Sequence, residues 1–435
     1  MGIKRNLLVF LVICVSIALI AGCGAGQKGT GSGTPENASE GTSKEPPITI
    51  SYGLWDKSLQ PIYRKIADEF EKAHSNITVN VDVSPWNEYW TKLEAAATGG
   101  TLPDVFWMNG PNIVRYAEAN ILMPIDDRLA KDNVDLTNYP QSLVKLYTVE
   151  EKNYTMPLFW DTSALWYNKE IFDNAGVPYP DDTWDFEKLK EVAAQLTDKS
   201  KDIYGIAAKM HNQGGYYNTI LQAGGFIISE DRKTSGFDKP ETIEGIKVWP
   251  DLINEGLSPT FQQMLDTSQT SLFESGKLAM IYDGSWMYPQ YSKNDYLKDK
   301  LGITVMPKLK QRGGVLHGVG AAISAKTKNP DAAWKFLKFL GSQEANDIFA
   351  QEQGGLPAYL PSVDVFVEQE TEKGYNVKAF LEQVEYATMY PCSKYTSKWQ
   401  EQETKYLKRV WAGEMSAEEA CKKIAEEMNR ILATE

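Results

Sequence analysis

Trp55, Trp107, Trp160, Asp161 and Trp286 are the residues of this 435-residue sequence whose types and surroundings could do chemistry together. Trp55 and Trp107 stand at the ends of strand patterns, Trp160 and Asp161 are adjacent in "PLFWDTS", and Trp286 closes the turn "DGSW". Indole rings give a large flat contact at little conformational cost, and a carboxylate accepts charge-assisted hydrogen bonds. That combination suits a ligand with an apolar C–H face and a rim of hydroxyls, and it would also serve a polyamine. Asn109, after "PDVFWM", adds an amide, but Asn-Gly is a common turn pair, so contact and turn both stay open. Because Trp107 and Asn109 are two apart on a strand, they should face the same way. Trp55 and Trp107 are open between stacking on a ligand and packing in a core, and Asp161 between ligand contact and capping the element that follows. Tyr89, with Trp86 nearby, opens a helix at the same edge and is a secondary candidate. Asp104 reads as a packing or capping group at the far end of its strand.

The elements that must position these groups follow from periodicity. "ITISYGLW" (48–55), "ITVNVDVS" (77–84) and "DVFWM" (104–108) read as strands, and residues 61–74, 85–98 and 111–119 carry apolar side chains at helical spacing. Gly99 and Gly100 stop the second helix, and Pro111 opens the third. Alternating strands and helices imply a largely parallel sheet, with the strand ends gathered on one edge, where ligands of open α/β sheets bind. A second α/β region follows, with strands in "ALWY", "DIYGIAAK", "KLAMIY" and "GITVMP". Helices are expected in "NKEIFDNAG", "TWDFEKLKEVAAQLT", "NPDAAWKFLKFLGS" and the tail, which opens with a capping box at Ser416 and Glu419. The expected fold class is α/β in two lobes, each a mostly parallel sheet flanked by helices.

Catalytic patterns are scarce. There are three histidines, His74, His211 and His317, with no H-E-x-x-H, C-x-x-C or G-x-S-x-G, so metal and serine-hydrolase chemistry are poor readings and no cofactor is expected. "GAGQKG" (24–29) matches G-x-G-x-x-G but lies outside any strand–helix context. A glycoside-processing enzyme needs only two placed carboxylates, and among 58 acidic residues counting leaves it open. The formal charge of -13 argues against a nucleic-acid partner.

The first 47 residues are of another kind. Met1–Arg5 is a cationic head, Leu7–Ile20 an apolar run of leader length, and "LIAGC" ends at Cys23. The ending resembles the lipobox of bacterial lipoproteins, which implies cleavage after residue 22 and lipidation of Cys23. Loss of Lys4 and Arg5 with the leader leaves 43 basic against 58 acidic side chains, a charge of -15. Residues 24–47 are a Gly, Ser, Thr, Pro and Glu tract that cannot bury enough surface to fold and reads as a tether. Cys392 and Cys421 remain, open between a disulfide and two free thiols.

Taken in order, these segments resemble the bacterial extracellular solute-binding proteins that feed sugars to ABC importers, the maltose-binding-protein-like group. The resemblance rests on the lipobox, "GTLPDVFWMNGPNIVRYAEANILMPIDD", "PLFWDTSALWYNKEIFDNAGVPYPDDTWDFEKL", "FESGKLAMIYDGSW", "GVGAAISAKTKNPDAAWKFLKFL" and "GGLPAY". It implies a periplasmic-binding-protein-like fold, with residues 48–157 plus 318–358 as one lobe and 158–317 plus 359–435 as the other, joined by a hinge. It further implies a mono- or oligosaccharide bound between the lobes, an ABC permease as partner, no catalysis, a monomer, and an anchor at the outer face of the cell membrane. Trp160 and Asp161 then fall in a crossing segment, Trp286 matches an aromatic that stacks on sugar, and Gly318 would let backbone approach the ligand. A binding protein for a polyamine or peptide is the alternative.

Overall fold

The structure, a computed structural model, describes residues 46–435; Cys23, the leader and most of the tether lie outside the described residues. The chain begins as three strand–helix units: β1 (Ile48–Leu54), α1 (Gln60–Ala73), β2 (Ile77–Val83), α2 (Trp86–Gly99), β3 (Val105–Asn109) and α3 (Gly110–Glu118). β1 lies between β2 and β3 and pairs with both in parallel. Its inward residues Ile50, Tyr52 and Leu54 are fully buried, and α1 covers them with Ile62, Tyr63, Ile66 and Phe70. Gly100 ends α2 in the left-handed region at φ 70°, as the Gly-Gly stop requires.

Seven further strands matter here: β4 (Thr155–Asp161), β5 (Ser163–Asn168), β6 (Tyr204–Ile206), β7 (Leu278–Gly284), β8 (Leu301–Thr304), β9 (Gly314–Ile323) and β10 (Ala387–Met389). The first sheet has the order β10-β9-β3-β1-β2, with β4 also paired to β9. β9 runs antiparallel to both β3 and β4, so Ala321 faces Trp107 on one side and Met156 on the other. Only Thr162 separates β4 from β5, which belongs to the second sheet, β8-β5-β7-β6.

The second sheet departs from the parallel expectation. β5 pairs antiparallel with both β8 and β7, and only β6 with β7 is parallel. Every residue of β5, β7 and β8 is buried. Strands covered on both faces become continuous apolar runs, and such runs look the same in either direction.

Asp104 sits at the start of β3, away from the strand ends, and accepts from the Ser51 N–H at 2.9 Å and the Ser51 hydroxyl at 3.0 Å. Ser416 caps the last helix, Ala417–Leu432, by accepting from the Glu419 N–H; Glu419 itself reaches toward Lys423, so half of the expected box forms. Cys392 and Cys421 are buried free thiols, and burial pushes the Cys421 thiol up to about 12. Among the described residues no helix is long and apolar enough to cross a membrane.

Candidate ligand-binding site

A cavity of about 360 Å³ opens where β1, β3, β4 and β7 end. Five of the sequence candidates, Trp55, Trp107, Asn109, Asp161 and Trp286, line it. Trp107 and Asn109 do share a face, and both reach the cavity.

The first wall is a pile of aromatic rings. Trp107 donates its indole N–H to Tyr52 Oη at 2.6 Å, which fixes the ring beneath Trp55, 4.8 Å away and nearly perpendicular. Trp55 in turn meets Trp86 edge-on at 5.3 Å and Tyr89 at 5.2 Å. Tyr89 does not line the cavity. It is buried behind Trp55, and its hydroxyl donates to the Trp107 carbonyl at 2.9 Å, so it braces both rings. Trp86 is 49% exposed and does line the cavity, at its rim.

The floor comes from the crossing strands. Asp161 is buried, and the Ser285 hydroxyl donates to its Oδ1 at 2.9 Å. Burial pushes its carboxyl up to about 7; the Ser285 bond acts against this and the nearby Asp56 with it. Trp160, its neighbour, lies outside the lining, with its N–H donated to the Pro357 carbonyl at 3.1 Å. Adjacent strand residues face opposite ways, and the strand spends one on the cavity and one on packing. Gly318 is also outside the lining: a Cβ there would stand 2.6 Å from the Phe159 carbonyl oxygen, so its glycine serves the close approach of β9 to β4.

The facing wall is built on "DGSW". A Cβ on Gly284 would stand 1.8 Å from Trp286 Cζ3, so the indole lies flat against the glycine backbone where any larger residue would collide. Asp283, fully buried, is committed to the Lys209 ammonium at 2.7 Å and the Tyr291 hydroxyl at 3.0 Å. Beside Trp286 stands His211, with ring centres 6.0 Å apart. Its Nδ1 accepts from the Gly214 N–H at 2.9 Å, and burial together with the Lys209 charge pushes the imidazole down to about 4. His211 is therefore neutral near pH 7, with its proton on Nε2 as a donor.

His211, Gln213 and His317 line the cavity without having been singled out as ligand groups. Gln213 presents a buried side-chain amide nitrogen that has no hydrogen-bond partner, while its backbone carbonyl accepts from the Ser163 hydroxyl at 2.9 Å. The sequence signal for this wall was the pair Gly214-Gly215 after three polar residues. The wall is braced from behind by α4 (Thr396–Trp411): Glu403 accepts from Tyr216 and Tyr217 at 2.9 Å each, and Trp411 donates to the Ala208 carbonyl. Gln400 reaches the same wall through Tyr390, whose hydroxyl also accepts from Asn212 at 2.8 Å. Burial pushes the Glu403 carboxyl up to about 8.

Chemically, this is a site that stacks rings and exchanges hydrogen bonds. Among the described residues, no group of three or more His, Cys, Asp or Glu could hold a metal ion.

The profile of the family described as "Bacterial extracellular solute-binding protein" matches residues 56–347. The chain is 28% identical over 354 residues to a maltotriose-binding protein of Pyrococcus abyssi, covering 80% of this chain and 73% of that one. It is 25% identical over 373 residues to a galactooligosaccharide-binding protein of Bacillus subtilis, with 82% of each covered. In structure it is similar, with a TM-score of 0.83 and 24% identity, to an ABC substrate-binding protein of Listeria monocytogenes in complex with cycloalternan, covering 89% of this chain and 99% of that chain.

Proposed function

The chain belongs to the bacterial extracellular solute-binding proteins, and on that premise we propose that its aromatic cavity captures a saccharide for delivery to a membrane ABC permease. The observation that carries the reading is the pairing of Trp286 on one wall with Trp55 on the other, around the buried carboxylate of Asp161. Indoles take the C–H faces of a sugar ring; Asp161, Asn109, Gln213 and His211 take its hydroxyls. Lys57 at the wall offsets the carboxylate of Asp56 beside it, which disfavours a polyamine. The relatives named above for maltotriose and galactooligosaccharide favour a sugar over a peptide.

In this reading Trp55, Trp107, Asn109, Asp161 and Trp286 touch ligand, while Tyr89, Trp160 and Gly318 hold the frame. Residues 48–157 with 318–358 and residues 158–317 with 359–435 act as the two lobes, closing about β4 and β9, which favours the bound state by population shift. The protein works outside the cytoplasm, held at the membrane by lipid on Cys23, as a monomer that binds without turnover.

The test is a thermal-shift panel of maltotriose, galactooligosaccharides, cycloalternan, spermidine and a tripeptide. A ligand bound only by the folded state raises the melting temperature, and a rise with spermidine or the tripeptide but with no sugar would overturn the proposal. Appearance of new reducing ends on long incubation would overturn the binding-only part.

Asp161 gives a second readout. Sugar hydroxyls donating to it favour the carboxylate, so its pKa must fall from about 7 on binding. Capture near pH 6.5 should release up to about one proton, and affinity should rise as the pH goes from 6 to 8. Calorimetry in buffers of different ionisation enthalpy measures the proton directly. Asp161→Asn should abolish the release, and an unchanged release in that variant would remove Asp161 from the site.

A further inference from the structure

Asp161 ends β4 and forms the floor of the cavity, but the terminal torsion of an aspartate is broad, so the strand alone gives its carboxyl no direction. Ser285 supplies one. Its hydroxyl donates to Asp161 Oδ1 at 2.9 Å, and its N–H donates to the carbonyl of Thr162, the next residue, at 2.8 Å. The crossing segment is thus gripped at two adjacent points by a residue only 1% exposed, where water does not compete for either bond. Among the described residues no other hydrogen bond reaches the Asp161 carboxyl. Oδ1 is engaged, and Oδ2 remains as the acceptor open to a ligand. The other polar side chain of the "DGSW" turn has a different task, since Asp283 is committed to Lys209 and Tyr291.

We propose that Ser285 is a positioning residue of this site: by holding Oδ1 of Asp161 it aims Oδ2 at the ligand, and it ties that acceptor to the turn that carries Trp286. This rests on the reading of Asp161 as a group that touches sugar. Ser285 is not part of the cavity lining, so it acts through Asp161. An acceptor aimed in advance loses no rotamer freedom when a hydroxyl arrives, and a donor on the carboxyl favours its charged form, which accepts the stronger hydrogen bond. Asp56, Lys57, His211 and His317 share the cavity with Asp161, and Tyr63 and Tyr147 feel its charge. Burial pushes His211 down to about 4 and His317 to about 3, and raises both tyrosines well above their usual value. None of these four changes charge between about pH 6 and 8.5.

The test is Ser285→Ala, which keeps the backbone bond to Thr162 and loses only the hydroxyl donor. Affinity for maltotriose, or for a galactooligosaccharide where that binds better, is measured by calorimetry on the full chain from about pH 6 to 8.5. The variant should bind about tenfold more weakly near the acid end and about threefold or less near the alkaline end, with the midpoint of the rise in affinity moved up by about one pH unit. A residue that merely packs would lower affinity by the same factor at every pH, and that result, or no loss at all, overturns the proposal. Ser285→Cys, close in shape with a weaker donor, should fall between serine and alanine, and it is read in the same way if the alanine variant does not fold. Should the unaltered protein bind sugar with an affinity indifferent to pH, the reading of Asp161 falls and takes this one with it. If no sugar binds the folded protein, it is the saccharide reading itself that falls.

Discussion

Gly284→Ala is expected to remove most of the affinity for sugar, about 2 kcal/mol or roughly thirtyfold in Kd, while leaving the protein folded. The backbone at Gly284 has φ −84° and ψ 163°, which alanine adopts without strain, so the substitution acts only through its methyl group. That methyl would occupy the place of the Trp286 ring, 1.8 Å from Cζ3. The ring must swing away from His211 and Gly214, and the facing wall loses its flat surface. Because the effect passes through one ring, Gly284→Ala and Trp286→Ala should be non-additive. The double variant should bind no worse than Trp286→Ala alone, and losses that simply add would show that Gly284 acts by another route.

The second large effect concerns stability against pH. Glu403 is fully buried, and burial pushes its carboxyl from the usual 4.5 up to about 8, with the two tyrosine hydroxyls pulling the other way. The sign follows from proton counts. Between pH 4.5 and 8 the folded chain keeps a proton on Glu403 that the unfolded chain has released, so stability is fully present below that window and falls as the pH rises through it. The whole span is on the order of 5 kcal/mol. Asp161, raised to about 7, contributes with the same sign. The growing repulsion of an acidic chain adds a background slope, so the measurement is a difference. Glu403→Gln removes the titration and keeps one acceptor for the tyrosines, and the drop in melting temperature from pH 5.5 to 8.5 should shrink in that variant. Equal drops in both proteins would exclude Glu403 as the source.

Much of the first sheet was legible because its signals are local. Alternation in "ITVNVDVS" and the Gly99-Gly100 stop each act within a few residues, and β2 and α2 follow. Trp286 was legible for the same reason, since a tight turn with a glycine before an indole constrains itself. The roles of Tyr89, Trp160 and Gly318 were not, because each is decided by a partner far along the chain: the Trp107 carbonyl, the Pro357 carbonyl and the Phe159 carbonyl. His211 and Gln213 were missed for a related reason. Their wall takes its shape from a turn with Gly215 at φ −152° and ψ −109°, a conformation that hydrophobic periodicity does not signal. Strand direction in the second sheet was invisible, since β5 and β7 bury every side chain.

The bracing of the 208–217 segment by α4 sets an order of events during synthesis. Tyr216 and its partner Glu403 are 187 residues apart, and Asn212 and Tyr390 are 178 apart. At the usual 5–20 residues per second, roughly 10–40 s pass between the making of the wall and the making of its support. Until then two tyrosine hydroxyls and the Asn212 amide lack the acceptors they have in the folded protein, and the face presenting His211 and Gln213 has nothing behind it. Pairings of such separation also form late in folding, because loop closure must be paid before they reward it. The binding wall is thus among the last parts of the protein to become native, and a chain released before Thr396 would carry every strand described here and no finished site.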